Sequence, residues 1–172
     1  MHQVYLSLGS NIEPEQNLPR AIQLLHEHGK ILKISSAWES ESVGAVGPNY
    51  LNACVRFITS LVYDPLKEQV IHPIESELGR KRSADKYAPR TIDIDIVLFD
   101  DQLCNDKYWK QAFVVVPLAE IHPEYRNPQT QEGIVEAANR LRQQVWMETR
   151  PEVLSQFAQS QNVQRRHDEI QE

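Results

Sequence analysis

The segment Thr91-Ile92-Asp93-Ile94-Asp95-Ile96-Val97-Leu98-Phe99 constrains the fold more than any other in this chain. Apolar and acidic residues alternate along it, the pattern of a strand with one buried face, and Asp100-Asp101 ends it. Residues two apart on a strand project to one side. Ile92, Ile94, Ile96 and Leu98 are therefore expected in a core, with Asp93 and Asp95 side by side on the opposite face. Such a strand needs partners. Leu51, Ala53, Val55 and Phe57 alternate with Asn52, Cys54 and Arg56 in a strand running on towards Tyr63. Val4 to Leu8 gives another, stopping at the turn formers Gly9-Ser10-Asn11, and Ile31 to Trp38 one more.

Helical spacing appears first at Leu18, Ala21, Ile22 and Leu25, between Asn17 and His28, with Gly29 where a left-handed C-cap would sit. Asp64-Pro65 reads as an N-cap and first helical residue, and Leu66, Val70, Ile74 and Leu78 continue the helix to Gly79. Pro73 inside that run predicts a kink or break. Ile134, Ala138, Leu141 and Val145 mark a third helix, and Thr149-Arg150-Pro151-Glu152 has the form of a capping box opening a last one. Phe113 to Val116 is a further buried run, whereas Glu39 to Asn49 is a long loop of the kind that often carries function. Strands and helices do not alternate strictly, so an α+β sandwich is expected over a parallel doubly wound sheet.

With 172 residues, 41% of them hydrophobic, one domain is expected over residues 1–157, followed by a polar, Gln-rich tail at 158–172 with no apolar face to bury. No apolar run approaches the roughly 18 residues that span a bilayer, and Met1 precedes a strand-like stretch, so the cytoplasm is the default location. The net charge of −6 argues against a broad nucleic-acid or membrane surface; any polyanion must be bound locally. Cys54 and Cys104 lack metal-ligand spacing and are expected to be reduced and structural. No obligate protein partner is implied.

Neither a P-loop nor a Gly-x-Gly-x-x-Gly is present, so phosphate chemistry would need another device. Two carboxylates sharing a strand face repel, and a divalent cation between them removes that cost; Mg²⁺ suits one or two carboxylates completed by phosphate oxygens and water. Just before them, Arg80, Lys81, Arg82, Lys86 and Arg90 put five cations into eleven residues against one acid, Asp85. Carboxylates for a metal beside arginines for phosphate is the composition phosphoryl transfer needs, since catalysis there is positioning and charge neutralisation. Taken singly, each feature also fits a solvated surface.

Together with Leu6-Ser7-Leu8-Gly9-Ser10-Asn11, Tyr50-Leu51-Asn52-Ala53, Gly79-Arg80 with Arg82, Pro89-Arg90-Thr91-Ile92-Asp93-Ile94-Asp95 and Pro117-Leu118 before Glu120-Ile121, the chain resembles the hydroxymethyldihydropterin pyrophosphokinases of folate synthesis. The resemblance implies a ferredoxin-like αβα sandwich with a mostly antiparallel sheet flanked by helices. It also implies transfer of pyrophosphate from ATP, the co-substrate, to a pterin alcohol, with AMP leaving. Asp93 and Asp95 match the ligands of two Mg²⁺ ions, and Arg80, Arg82 and Arg90 the phosphate-contacting arginines. Asn52 matches the amide that reads the pterin edge, Tyr50 and Phe113 its aromatic walls, and Ser40, Val43 and Gly44 its pterin-side loop. Tyr87 matches an aromatic that covers the site and Glu75 an acid near the nucleotide.

Two departures stand out. Family members carry a longer segment after the Asp strand, with a Pro-His pair and an arginine before the aromatic; residues 100–112 here lack both, leaving Lys107 and Lys110 as flexible point charges. Glu41 stands where the family tends to have proline. Two other readings therefore accompany the enzyme: a pterin- or nucleotide-binding relative with lost or altered transfer, and an unrelated small interaction domain.

Overall fold

The computed structural model describes residues 1–44 and 46–158. The expected tail lies outside the described residues from 159 onward. Seven strands form one sheet: β1 (His2–Ser10), β2 (Lys30–Ile34), β3 (Trp38–Ser40), β4 (Tyr50–Thr59), β5 (Asp93–Phe99), β6 (Gln102–Leu103) and β7 (Met147–Thr149). Their order is β6-β5-β1-β4-β3-β7, with β2 also on β4, and every pairing is antiparallel. This is the expected α+β sheet flanked by helices. The run from Ile31 to Trp38 is two strands, β2 and β3, and the loop begins only after Ser40. β4 stops at Thr59, short of Tyr63, because the chain there turns into the next helix.

One face of the sheet packs on α1 (Pro14–His28) and on a compound helix made of α2 (Tyr63–Leu66), a π-helical turn at Lys67–Ile71, and α3 (His72–Glu77). Alternation puts Val4, Leu6 and Leu8, then Leu51, Ala53, Val55 and Phe57, then Ile92, Ile94 and Ile96 on that face. The break foreseen at Pro73 takes the form of the π turn. Widening the preceding turn lets the helix continue past a residue that has no N–H to donate. Asp64 lies within the first turn and is not the cap; Val62 is, without a side-chain hydrogen bond.

The opposite face carries α4 (Ala112–Ile121) and α5 (Ile134–Arg142). The buried run at Phe113 is thus the start of a helix, apolar nearly all round because it is enclosed between the sheet and α5. Leu98 also belongs here, against expectation. The β1–β5 ladder shifts between Tyr5 and Leu6, so Val97 and Leu98 both turn towards α4 while Ile96 keeps the first face. The Asp100-Asp101 hairpin joining β5 to β6 has φ of 47° and 62°, the left-handed pair that a two-residue turn requires.

Three local expectations fail. Gly29 is extended, with φ 178°, and is needed for room: a Cβ there would come 2.6 Å from the Ile58 carbonyl oxygen. Val145 is exposed beyond the end of α5. Thr149 ends a strand, and Arg150 leads into a 3₁₀ turn, Pro151–Val153, with no side-chain cap, so the expected last helix begins only at 155 and without the capping box. Cys54 is buried and Cys104 partly so, both unpaired. No described helix is long and apolar enough to cross a membrane.

Candidate active site

Register places the chemistry in one row. Gly9 in β1 stands opposite Asp93 in β5 on one side and Asn52 in β4 on the other, and Ser7 stands opposite Asp95 and Cys54. Two strand spacings, roughly 10 Å, thus separate the carboxylates from the amide. Gly9 leaves the floor between them open; a Cβ there would come 3.2 Å from Asn52 Oδ1. Above this row lies a cleft of about 590 Å³. Ser40, Val43, Tyr50, Asn52, Tyr87, Arg90, Asp93, Asp95, Lys110 and Phe113 all line it.

The carboxylate end is held by helix and loop geometry. Gly79, at φ 81°, ends α3 in a Schellman motif, with Gly79 N–H donating to the Ser76 carbonyl and Arg80 N–H to that of Glu75. The reversal sends the Arg80 guanidinium back against the buried Glu75 carboxylate and onto Asp93 Oδ1 at 2.7 Å. Arg90 donates to the other oxygen, Asp93 Oδ2. Glu75 also accepts from Ile94 N–H at 3.4 Å, so it sits behind Arg80 as a support and does not line the cleft. Arg82 is exposed, 3.7 Å from Glu75. Asp85, the lone acid of the basic loop, accepts from Tyr87 N–H at 2.9 Å and so shapes the turn.

Asp95 differs from Asp93. Burial first, and then the Asp93 charge, push its carboxyl up to about 6, against the opposing pull of Lys107, Arg80 and Arg90. A surplus of negative charge on a partly desolvated carboxylate, next to a second carboxylate and open to a cleft, is the donor set a divalent cation relieves. The residues present therefore fit Mg²⁺ completed by ligand oxygens and water.

At the other end, Asn52 Nδ2 donates to the Trp38 carbonyl at 3.2 Å and to Ser40 Oγ at 2.9 Å. Both amide protons are thus spent inward, and Oδ1 is the atom presented towards Gly9 and the cleft. Gly44, with φ 81°, lies so close to the Tyr87 ring that a Cβ would collide with it, so the two loops meet across the opening. Trp109 and Tyr108 anchor the short segment: both are buried, and Trp109 Nε1 donates to Glu132 at 2.8 Å. Lys110 consequently faces the cleft, whereas Lys107 lies 5.1 Å from the Tyr108 ring centroid, outside the lining.

Several contributors were not visible as site residues in the sequence. Asn11 clamps the basic loop to the end of β1: its Oδ1 accepts from Arg90 N–H at 2.8 Å, and its own N–H donates to the Arg90 carbonyl at 3.1 Å. Ser7, Gly9 and Gln111 line the cleft, as do residues 144–147. Gly9 and Asn11 fall in the matched stretch Leu6 to Asn11, which was the available signal; nothing in the sequence marked 144–147.

Comparison with known proteins bears on the family and the fold. The family model for 7,8-dihydro-6-hydroxymethylpterin-pyrophosphokinase (HPPK) matches residues 5–123. The 2-amino-4-hydroxy-6-hydroxymethyldihydropteridine pyrophosphokinase of Aquifex aeolicus is 38% identical over 143 residues, covering 74% of this chain and 88% of that protein. The protein of the same name from Synechocystis is 33% identical over 146 residues, covering 78% and 74%. The crystal structure of an HPPK-DHPS in complex with substrates shares the fold, with a TM-score of 0.63 at 14% identity. That alignment covers 83% of this chain and 44% of the longer one. Match length, identity and fold coincide, and the chain belongs to the 7,8-dihydro-6-hydroxymethylpterin-pyrophosphokinase family.

Proposed function

We infer that this chain catalyses its family's reaction, transfer of a pyrophosphoryl group from ATP to 6-hydroxymethyl-7,8-dihydropterin in folate biosynthesis, with AMP leaving. The observation that carries the reading is the row Asn52–Gly9–Asp93 across three adjacent strands. It sets a reader of heterocycle edges and a charged phosphate end about 10 Å apart in one cleft. Family membership favours this over a binding-only relative and over an unrelated interaction domain.

In this reading the pterin stacks against Tyr50 and Phe113 while Asn52 Oδ1 accepts from its N–H edge. Ser40 keeps the amide from rotating, and Val43 and Gly44 bring their loop over the ligand. Arg80, Arg82 and Arg90 bind the phosphate oxygens and offset the charge that develops on them. Lys110, with Lys107 behind it, supplies further positive charge, Glu75 holds Arg80 in place, and Tyr87 covers the opening. Asp93 and Asp95 would hold Mg²⁺, two ions by analogy with the family. When bound, the metal neutralises and orients the phosphate groups. The pterin hydroxyl oxygen then attacks the β-phosphorus and releases its proton to solvent, while the bond from the β-phosphorus to the oxygen it shares with the α-phosphate breaks and AMP leaves with that oxygen and its electron pair. No side chain is required as a covalent carrier. Closure of the two loops excludes water and so suppresses ATP hydrolysis.

The test is AMP release with the pterin alcohol, ATP and Mg²⁺. AMP should form in step with pyrophosphorylated pterin, and neither should form when the pterin or the metal is omitted. Tight binding of both ligands without AMP would instead establish the binding-only relative.

A further inference from the structure

Residues 144–147, which lead into β7 and include its first residue, lie beyond the stretch matched by the family model, yet they line the cleft. β7 pairs with β3 so that Met147 stands opposite Ser40, whose hydroxyl holds the Asn52 amide. Trp146 is thus one residue from the pair supporting the edge-reading group, in a cleft wall shared with Tyr50 and Phe113. Trp146 is 42% exposed, whereas Trp38 and Trp109 are 8% and 7% exposed. Those two each donate their indole N–H to a carboxylate, Glu120 and Glu132 respectively. Trp146 has no hydrogen-bond, ring or cation partner among the described residues.

A large aromatic left half-exposed marks a contact surface more often than an accident when its neighbours are apolar and exposed too. Ten large hydrophobic side chains are exposed among the described residues, and four of them, Val43, Tyr87, Val145 and Trp146, line this one cleft. That concentration calls for an apolar, flat occupant. A bicyclic heterocycle whose polar edge meets Asn52 presents such a face.

The geometry points to Trp146 as a further substrate-binding residue, whose indole closes the Asn52 end of the cleft over the heterocycle and keeps water from the amide contact. This rests on the function proposed above. Covering that end raises the value of the Asn52 hydrogen bond, because an amide contact shielded from water is stronger than one in competition with it. Phosphate binding, at the far end of the row, does not depend on it.

The test uses 6-hydroxymethylpterin, the oxidised alcohol, titrated calorimetrically in the presence of a non-hydrolysable ATP analogue and Mg²⁺. Trp146→Ala should weaken pterin binding about ten-fold, Trp146→Phe should recover most of it, and affinity for the ATP analogue alone should not change. In the parent, pterin should also change the tryptophan emission, and Trp146→Phe should diminish that change, since Trp38 and Trp109 are buried and do not line the cleft. Unchanged pterin affinity in Trp146→Ala overturns the assignment, as does an equal loss for both ligands, which would mean local collapse. A parent protein that binds the ATP analogue but no pterin overturns the proposed function itself, and this inference with it.

Discussion

Asn52, Gly9 and Asp93 are held in register by the ladders of three antiparallel strands, whereas Val43, Gly44 and Tyr87 above them rest on one loop-to-loop contact and a few turn hydrogen bonds. On the proposed function, the floor would fix the reacting groups and the rim would be the part that yields to admit them. Strand ladders fix position at the cost of mobility; loops with few buried contacts do the reverse. Substitutions in the floor should accordingly alter chemistry or recognition with little change in access, and substitutions in the rim should alter access to both substrates.

The largest effect is expected at the floor's carboxylates. Asp95→Asn should lower kcat by about 10³-fold or more, several kcal/mol, because one of the two carboxylates that would hold the metal against the reacting phosphates is lost. The same change should stabilise the metal-free protein. The unfolded Asp95 carboxyl titrates near 3.8 and the folded one near 6, so the native state holds the extra proton between those values. Stability of the metal-free parent should then fall as pH rises from 4 to 6, by an amount of order 1–3 kcal/mol, and stay low above that window. Thermal melts of parent and Asp95→Asn at pH 4 and pH 7 check this. A variant less stable than the parent at pH 7 would show that the paired carboxylates cost the fold nothing.

Next comes recognition. Asn52→Ala should weaken pterin binding by about 1–3 kcal/mol and leave the ATP analogue nearly untouched, since only the heterocycle edge loses its partner. Calorimetric titration of each ligand separates this from a folding defect, which would weaken both.

At the rim, Gly44→Ala tests access. Its backbone is at φ 81° and a Cβ would strike Tyr87, so alanine should cost the closed loop about 1 kcal/mol. KM should rise several-fold for both substrates while the melting temperature barely moves. A variant whose KM changes for neither would remove the rim from the mechanism.

The smallest effect belongs to the short segment after β5. Lys107→Ala with Lys110→Ala should flatten the salt dependence of ATP-analogue binding, because lysine charge is screened over roughly 8 Å at physiological ionic strength while guanidiniums in a closed site are screened less. Affinities at two salt concentrations, for parent and double variant, decide it. Identical slopes would leave this segment without a part in nucleotide binding.

The floor was far more legible in the sequence than the rim. Alternation marks β1, β4 and β5, because half-buried strands write a period of two into their residues, and Asp93, Asp95 and Asn52 are the polar phases of that alternation. The bulge at Val97 is invisible to the same reasoning, since it depends on how β1 pairs with β5 and not on β5 alone; Leu98 was placed on the wrong face for that reason. β7 has only three residues and no alternation, so the strand that carries Trp146 to the cleft left no trace. Pro73 announced a break but not the π turn that absorbs it, in which Val70 and Ile71 are both buried. Asn11 acts through a partner 79 residues away, and no local pattern encodes such a bond.

Asp93 spends both its oxygens on Arg80 and Arg90, so the unliganded site is already a closed circuit of its own opposite charges. Neither a lone nucleotide nor a lone cation can enter without leaving one member of that circuit unmatched. A cation that drew Asp93 away would open Arg90, and the side of Arg80 not held by Glu75, to phosphate, and a triphosphate that drew these guanidiniums away would open Asp93 to a cation. Each therefore lowers the cost of admitting the other. On the proposed function, linkage requires the two affinities to rise by the same factor, so the site would act as a counter-ion exchanger that favours a metal–nucleotide pair over either component.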